Sequence, residues 1–168
     1  MKLYGAQTYT AQELLSAALR KEYGFRSVPD ISRTKQGKPY FPQYPSLHFN
    51  LSHTHGMALC AISDTSVGAD IEWIRPRRDA LPRYVFTAAE QRQYQELGGD
   101  WPAFYTLWTR KEAWCKYTGQ GLRPLWQQDP PEQGLYFGSY GGKTWRASVC
   151  GPTPPPLSVI WWEGVCPP

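Results

Sequence analysis

The chain has 168 residues, a formal charge of +4 and 41% hydrophobic residues, with eight Trp and eleven Tyr. This length suits one domain that buries a single hydrophobic core without disulfide bonds. The modest positive charge is compatible with anionic ligands or an acidic protein partner, but it is too weak by itself to indicate nucleic-acid binding.

The cysteines and the N-terminus favour a cytoplasmic protein. The four cysteines are widely spaced without a Cys-x-x-Cys pair, so we expect reduced thiols. The first residues lack the apolar stretch of a signal peptide, and no run of about 20 apolar residues could form a membrane helix. We therefore expect a soluble protein of the cytoplasm.

One helix and then several strands are predicted in the first half of the sequence. A capping box at Thr10–Glu13 precedes leucines and alanines at helical spacing, which predicts a helix over residues 11–23. From Leu47 the hydrophobic period changes to two, which is typical of strands. Strands are predicted at 47–52, 57–62 and 67–73. The short turns between them favour an antiparallel meander.

Helices and then strands are predicted in the rest of the chain. A second capping box, at Thr87–Glu90, predicts a helix that ends at Gly98. Asp100 is a suitable N-cap for the next helix, and Gly119 should end it. Three strand-like runs follow, at 135–137, 144–150 and 157–162. This order predicts an α+β fold of antiparallel sheets with packed helices.

Two carboxylates alternate along the third predicted strand. Asp70 and Glu72 are two residues apart, so both project from one face while Ile71 faces the other way. Adjacent negative charges are costly unless a cation neutralises them, and oxygen ligands select a hard ion such as Mg²⁺ or Mn²⁺. A solvated strand edge is the structural alternative. Gly68 weakens it, because glycine in a strand often marks close approach of a ligand or backbone.

A second charged pair lies on the long predicted helix. Glu112 and Lys116 are four residues apart and share one helix face. Alone they would be an ion pair worth about 0.3–0.5 kcal/mol. Beside the carboxylate strand they have a second interpretation, in which Glu112 completes a metal site or accepts a proton and Lys116 holds a phosphate oxygen.

Potential phosphate donors lie before the carboxylate strand. The Ser52 hydroxyl, the His53 imidazole and nearby backbone N–H groups can all donate, although ordinary turn chemistry explains them equally well. His53 and His55 form a His-x-His pair that could suggest zinc, but no Cys lies close in sequence. Lys38 precedes Pro39 and is therefore restricted to extended backbone, which presents its ammonium from a stiff loop.

A basic stretch follows the carboxylate strand. A solvated loop is the simplest interpretation, and a docking surface for an acidic partner is the functional alternative. The residues are Arg75, Arg77, Arg78 and Arg83.

Taken together, these segments resemble the 4′-phosphopantetheinyl transferase superfamily, in its surfactin-synthetase-activating class. The matching motifs are Gly-Lys-Pro at 37–39, Phe-Asn-Leu-Ser-His at 49–53, Val-Gly-Ala-Asp-Ile-Glu at 67–72, Phe-Thr-Ala-Ala-Glu at 86–90 and Leu-Trp-Thr-Arg-Lys-Glu-Ala-Trp-Cys-Lys at 107–116. Each motif is short, but their shared order and similar intervals over residues 37–122 are specific.

The resemblance implies a reaction and a set of roles. The phosphopantetheine arm of coenzyme A would move to a serine of an apo acyl or peptidyl carrier protein, and 3′,5′-ADP would leave. By this resemblance Mg²⁺ (or Mn²⁺) is held by Asp70, Glu72 and Glu112. Glu112 is also favoured as the general base, although Glu72 or a water stays possible. Coenzyme A contacts correspond to Lys38, Pro39, Ser52, His53 and Lys116.

The family commonly folds as a pseudo-dimer of two similar α+β halves. We therefore expect a single domain over residues 1–168, with a shortened first half at 1–65 and a metal-binding second half at 66–168. Family members usually carry a longer, basic N-terminal part, whereas 36 residues precede Gly37 here. This departure leaves open how the coenzyme A 3′-phosphate is held, and an exposed edge strand could favour self-association.

Two other functions remain to be distinguished. One is a non-catalytic coenzyme A or carrier-protein binding module of the same fold, which the complete set of Asp70, Glu72, Glu112 and Lys116 disfavours. The other is a nucleic-acid-binding domain, which salt-dependent retention on nucleic acid would reveal. No nucleic-acid or membrane partner is expected.

Overall fold

The computed structural model describes residues 1–120, 128–131 and 133–162. Within these ranges the chain forms four helices and nine strands. In chain order they are β1 (Lys2–Gln7), α1 (Ala11–Tyr23), β2 (Ser32–Arg33), β3 (Pro39–Tyr40), β4 (His48–Thr54), β5 (Met57–Ser63), β6 (Gly68–Trp73), α2 (Leu81–Val85), α3 (Ala88–Glu96), α4 (Trp101–Thr118), β7 (Tyr136–Gly141), β8 (Trp145–Gly151) and β9 (Ile160–Trp161).

Two β-α-β-β units with the same topology make up the molecule. The first half consists of β1, α1, β4 and β5, with the strand order β4-β5-β1, and the second half consists of β6, α4, β7 and β8, with the order β7-β8-β6. All neighbouring strands within each three-stranded group are antiparallel. The predicted α+β class with antiparallel sheets and packed helices is therefore confirmed, although the sequence shows no internal repeat.

Five elements lie outside this repeat, namely the helices α2 and α3 between β6 and α4 and three short strands. The strands β2 and β3 form a hairpin of their own, and β9 pairs in parallel with β1 at the edge of the first sheet. A domain boundary between residues 65 and 66 stays a prediction. None of the helices among the described residues is long and apolar enough to cross a membrane.

The strand β5 shows how the layers are stacked. All seven of its residues are buried, because alternate side chains face opposite directions and both sheet faces are covered. Ala58, Cys60 and Ile62 pack in the cluster that includes the buried face of α1. Met57 and Leu59 pack in a second cluster, against residues of β6 and β8. The two sheets thus lie face to face, with α1 outside the first and α4 outside the second.

The predicted meander is wrong in its third strand. β4 pairs with β5 as expected, but β6 pairs with β8, more than 70 residues along the chain. The second edge of β5 is occupied by β1, which pairs with it over six residues from Lys2↔Ile62 to Gln7↔Met57. No edge of β5 remains for β6, so the chain crosses to the second sheet after Ser63.

The predicted helix starts are confirmed. Both capping boxes form, at Thr10–Glu13 and at Thr87–Glu90, and the Asp100 side chain accepts a hydrogen bond from the Ala103 N–H. Gly119 ends α4 in the left-handed conformation, with φ +73°. These local signals act within one turn of helix, so they are independent of tertiary packing.

The described cysteines are buried and free, as expected for reduced thiols. They are Cys60, Cys115 and Cys150, and Cys166 lies outside the described residues. Burial raises the pKa of both Cys115 and Cys150 to about 12. These thiols therefore stay protonated and unreactive at neutral pH.

Candidate functional site

A cavity of about 620 Å³ opens beside β4, β6 and α4, with the β2–β3 hairpin and the start of α1 forming further walls. Every residue that the sequence assigned to the site lines this cavity, and the roles of these residues stay predictions. They are Lys38, Pro39, Ser52, His53, Asp70, Glu72, Glu112 and Lys116.

Close packing of α4 on β6 places two groups of charged residues together. A Cβ atom at Gly68 would lie 2.0 Å from the Ala113 carbonyl oxygen and 2.4 Å from the Tyr117 nitrogen. Only glycine therefore allows the helix to approach the strand this closely. The contact places Glu112 and Lys116 over the strand that carries Asp70.

Side chains of β4 complete the backbone hydrogen bonding of β6. One edge of β6 pairs with β8, and the other edge faces β4. The N–H groups of Ala69, Ile71 and Trp73 donate to side-chain oxygens of Asn50, Ser52 and Thr54 at 2.9, 3.3 and 3.4 Å. The donating N–H groups and the accepting side chains each occur at every second residue of their strands. These hydrogen bonds therefore hold β4 and β6 in a defined register. The same contact brings Ser52 beside Asp70.

Asp70 and Lys116 form an ion pair at the centre of the site, and Ser52 is hydrogen-bonded to both. The Asp70 Oδ1 accepts from the Ser52 hydroxyl at 2.8 Å and from the Lys116 ammonium at 2.7 Å. The ammonium also donates to the Ser52 oxygen at 3.0 Å. The Ser52 hydroxyl thus donates one hydrogen bond, to Asp70, and accepts two, from Lys116 and from the Ile71 N–H. Its one donor and both acceptor positions are therefore used. Ser52 therefore fixes the ion pair and has no free hydrogen-bonding capacity in this arrangement.

One oxygen of Asp70 lacks a partner. Its Oδ2 is buried and has no hydrogen bond among the described residues. A buried carboxylate oxygen without a donor is costly, and a bound cation or an additional donor would remove that cost.

Negative charge accumulates around this atom. Burial first, and then the charge of Asp70, raises the pKa of Glu112 to about 7, while Lys116 partly offsets the rise. Burial and Asp70 also raise the pKa of Glu72, against the opposing charges of Arg77 and Lys116. Each carboxylate disfavours ionisation of its neighbours, which is the environment that a divalent cation relieves.

The residues present fit Mg²⁺ held jointly by protein and substrate. No group of three or more His, Cys, Asp or Glu side chains within the described ranges forms a ready-made metal site. Mg²⁺ in phosphate chemistry typically binds one or two carboxylates and completes its shell with water and substrate phosphates. The unpaired Asp70 oxygen, with Glu72 and Glu112 on the same cavity, suits that mode.

The His-x-His pair does not converge on one point. His53 lines the cavity, whereas the His55 ring stacks on Trp73 with 5.9 Å between centroids. With no third candidate ligand grouped with them in the described part of the chain, the zinc alternative gains no support.

Lys38 joins the hairpin to the end of α4. Its ammonium donates to the Ser66 hydroxyl at 2.8 Å and to the Tyr117 carbonyl oxygen at 2.6 Å, and it lies 5.4 Å from the Tyr117 ring centroid. The carbonyl belongs to the last turn of the helix, where a cation is favourable. Burial lowers the pKa of Lys38 to about 8.

Two residues of the site were not recognised from the sequence. Asn50 shares a strand face with Ser52, so the period of two could have identified it. Arg33 lines the cavity from β2, a strand of two residues that no pattern predicted. The basic stretch is exposed, with Arg75, Arg77 and Arg78 on the loop after β6 and Arg83 on α2. The Arg77 guanidinium donates to the Tyr105 hydroxyl at 3.0 Å.

Comparison with known proteins identifies the family. A family model described as the 4′-phosphopantetheinyl transferase superfamily matches residues 66–136. The chain is 37% identical to the 4′-phosphopantetheinyl transferase psf-1 of Bacillus pumilus over 123 residues, which is 69% of this chain and 51% of the relative. It is 29% identical to the 4′-phosphopantetheinyl transferase Sfp of Bacillus subtilis (strain 168) over 119 residues, covering 69% of this chain and 53% of the relative.

A third relative is covered more completely. Identity to the 4′-phosphopantetheinyl transferase AcpT of Salmonella typhimurium is 35% over 137 residues, which is 76% of this chain and 69% of the relative. The chain spans about half the length of the Bacillus relatives that it matches. Its similarity to Sfp supports the surfactin-synthetase-activating class that the motifs indicated. The chain belongs to the 4′-phosphopantetheinyl transferase superfamily.

Proposed function

We propose that this chain transfers the 4′-phosphopantetheine arm of coenzyme A to a serine of an apo acyl or peptidyl carrier protein. The reaction depends on Mg²⁺, releases 3′,5′-ADP and takes place in the cytoplasm. The observation that carries the proposal is one cavity lined by Asp70, Glu72, Glu112 and Lys116, with the Asp70 Oδ2 buried and without a partner among the described residues. The names of the relatives support the reaction class.

The first requirement of the reaction is charge neutralisation on the coenzyme A diphosphate. Phosphoryl transfer is catalysed mainly by positioning and electrostatic stabilisation. Lys116 supplies one positive charge, and its contacts with Asp70 and Ser52 fix where that charge lies. Asp70, Glu72 and Glu112 would hold Mg²⁺, which neutralises phosphate charge when bound.

The second requirement is a base for the serine hydroxyl. The serine oxygen forms a bond to the phosphorus that carries the pantetheine group, the bond from that phosphorus to the bridging oxygen breaks, and 3′,5′-ADP leaves. Glu112 takes the serine proton. A glutamate that lines the cavity can serve as this base once it is positioned beside the serine hydroxyl. Glu72 is the alternative base on the same cavity.

The remaining cavity residues bind coenzyme A. Pro39 and His53 line the wall and are proposed as direct contacts. Ser52 contributes by fixing Lys116 and Asp70, and Lys38 contributes by holding the hairpin against α4. The carrier protein approaches the open side, and the exposed basic stretch after β6 offers a surface for its acidic residues.

The proposal is tested by intact-mass spectrometry. The protein is incubated with coenzyme A and a panel of apo acyl and peptidyl carrier proteins, with Mg²⁺ in one series and EDTA in the other. We expect one phosphopantetheine added to at least one carrier with Mg²⁺, and none with EDTA. Coenzyme A binding without an adduct on any carrier would instead indicate a binding module, and failure to bind coenzyme A would reject both.

A further inference from the structure

The strand β9 joins the two sheets at the edge opposite the cavity. In the first sheet β4 lies at one edge and β9 at the other. The side chains of β4 bond to β6 of the second sheet and line the cavity. Neither Ile160 nor Trp161, which form β9 within the described ranges, lines it. Because β9 pairs with β1 but follows β8 in the chain, the segment between β8 and β9 crosses from the second half to the first.

The Trp161 side chain fills the space between the sheets at this edge. Its ring lies against Gly5 of β1, where a Cβ atom would come within 2.6 Å of it. The same ring packs edge-on against Trp145 of β8, with 5.2 Å between the ring centroids. Trp145 is buried and belongs to the apolar cluster between the two sheets. Trp161 thus contacts both sheets at once.

The segment that precedes β9 is fastened to the second sheet. The Tyr140 hydroxyl on β7 donates to the Pro156 carbonyl oxygen at 2.6 Å. A Cβ atom at Gly138 of β7 would lie 2.8 Å from the Pro155 Cβ, so this proline rests directly on the strand. The prolines of the segment fix their φ angles, which makes the connection stiff. One end of the segment is therefore attached to β7, and the other end is attached to β1 through β9.

The candidate site is divided between the two halves that this segment joins. Ser52 lies on β4 of the first half, whereas Asp70 and Lys116 lie on β6 and α4 of the second half. The hydrogen bonds of Ser52 to Asp70 and Lys116 exist only when the halves are packed together. The cavity therefore depends on contacts between the halves, including those at the opposite edge.

We infer that β9 is a clasp that holds the two halves together, and that Trp161 is a positioning residue that maintains the candidate site from the opposite edge of the first sheet. Release of Trp161 from Trp145 would let the halves separate while each keeps its own sheet. Ser52 would then leave Asp70 and Lys116. The inference concerns the ligand-free protein and does not depend on the proposed transfer reaction.

Amide hydrogen exchange along β6, followed by NMR, tests the clasp. The N–H groups of Ala69, Ile71 and Trp73 bond to side chains of β4 in the other half. Those of Asp70 and Glu72 face β8 in the same sheet, because successive N–H groups of a strand point to opposite edges. Separation of the halves exposes only the first set, whereas global unfolding exposes both. The amides of β5 pair within the first sheet and report whether that sheet stays intact.

Trp161→Ala should lower the protection of Ala69, Ile71 and Trp73 at least about 10-fold more than that of Asp70, Glu72 and the β5 amides. Trp161→Phe keeps a ring between the sheets and should show a smaller difference. The control Leu107→Ala truncates a buried side chain in the cluster of α2, α3 and α4. It destabilises the second half without touching the clasp, so both β6 sets should lose protection by similar factors.

Three results would overturn the clasp. One is an equal loss of protection in both β6 sets for Trp161→Ala, which would give Trp161 a general role in stability. Another is the same selective loss in Leu107→Ala, and the third is wild-type protein without protection at Ala69, Ile71 and Trp73. If Trp161→Ala does not fold, Gly5→Ala decides instead. Its Cβ would displace the Trp161 ring, and it should produce the same selective loss.

Discussion

Lys116→Met should destabilise the ligand-free protein by about 3 kcal/mol, because it leaves Asp70 without its counter-ion. The ammonium lies 2.7 Å from the Asp70 Oδ1, and the side chains are 29% and 6% exposed respectively. Breaking a buried ion pair by removal of one partner typically costs about 3–5 kcal/mol. The lower end applies here because Asp70 keeps its hydrogen bond from Ser52. Methionine retains most of the packing volume, so the loss reports charge.

Urea denaturation with and without Mg²⁺ measures this effect. For a chain of this size the loss corresponds to a fall in Tm of roughly 6–12 °C. Mg²⁺ should stabilise the variant more than the wild type, since a divalent cation replaces the missing positive charge. The double variant Asp70→Asn/Lys116→Met removes both charges and should recover most of the loss.

Two results would refute this reasoning. One is a loss below about 0.5 kcal/mol for Lys116→Met, which is the range of an exposed pair. The other is a double variant no more stable than the single one, which would show that the charge of Asp70 is not what the lysine neutralises.

Three further predictions concern proton binding by Glu112, the packing of Gly68 and the ion pair of Lys111 with Glu90. The pKa of Glu112 is about 7 in the folded protein, whereas the ordinary pKa of a glutamate is 4.5. Between these pH values the folded state binds more protons than the unfolded state. The free energy of unfolding should therefore fall by up to about 3 kcal/mol as the pH rises across this range. Denaturation of metal-free protein across this range should show the fall, and Glu112→Gln should reduce it to the part due to Glu72, whose pKa is also raised; identical slopes would contradict the raised pKa of Glu112. Gly68→Ala places a Cβ 2.0 Å from the Ala113 carbonyl oxygen and should destabilise the protein by about 3 kcal/mol, so a near-neutral effect in urea would show that α4 does not contact β6 as described. Lys111→Met breaks the buried 2.7 Å ion pair with Glu90 and should cost about 3 kcal/mol, with Glu90→Gln/Lys111→Met closer to wild type; equal losses in the two would exclude the pair as the cause.

Elements with local signals were predictable. The helix α1 was predicted over residues 11–23 and is observed there, because Thr10 and Glu13 satisfy each other within one helical turn. The same holds for the start of α4 at Asp100 and its end at Gly119. In these cases the residues that form the structure lie beside one another in the sequence.

The missed strand β1 shows the limit of periodicity. It lies between β5 and β9 in the first sheet, and its residues from Leu3 to Ala6 are buried without alternation. A period of two marks a strand with one solvated face, so a short strand covered on both faces lacks it. The wrong prediction of the meander followed from this omission. Short turns predict that β6 pairs with the free edge of β5, but β1 occupies that edge.

The residues of the site were easier to predict than the hydrogen bonds that join them. Spacing alone indicated that Asp70 and Glu72 share a face and that Glu112 and Lys116 share another. The hydrogen bonds that join Ser52, Asp70 and Lys116 depend on β4, β6 and α4 meeting at one point. Such contacts are set by tertiary packing between elements that are distant in sequence, so no local pattern reveals them.

The central claim is that the acidic cavity is a phosphopantetheinyl transfer site, and the initial rate of carrier modification in matched variants tests it most directly. The rate is followed by intact mass with Mg²⁺, coenzyme A and a carrier that the wild-type protein modifies. Glu112→Gln should lower it by at least about 100-fold, the contribution of a general base. Glu96→Gln, the same change at an exposed glutamate of α3, should leave it unchanged. Equal rates for wild type and Glu112→Gln would contradict the account.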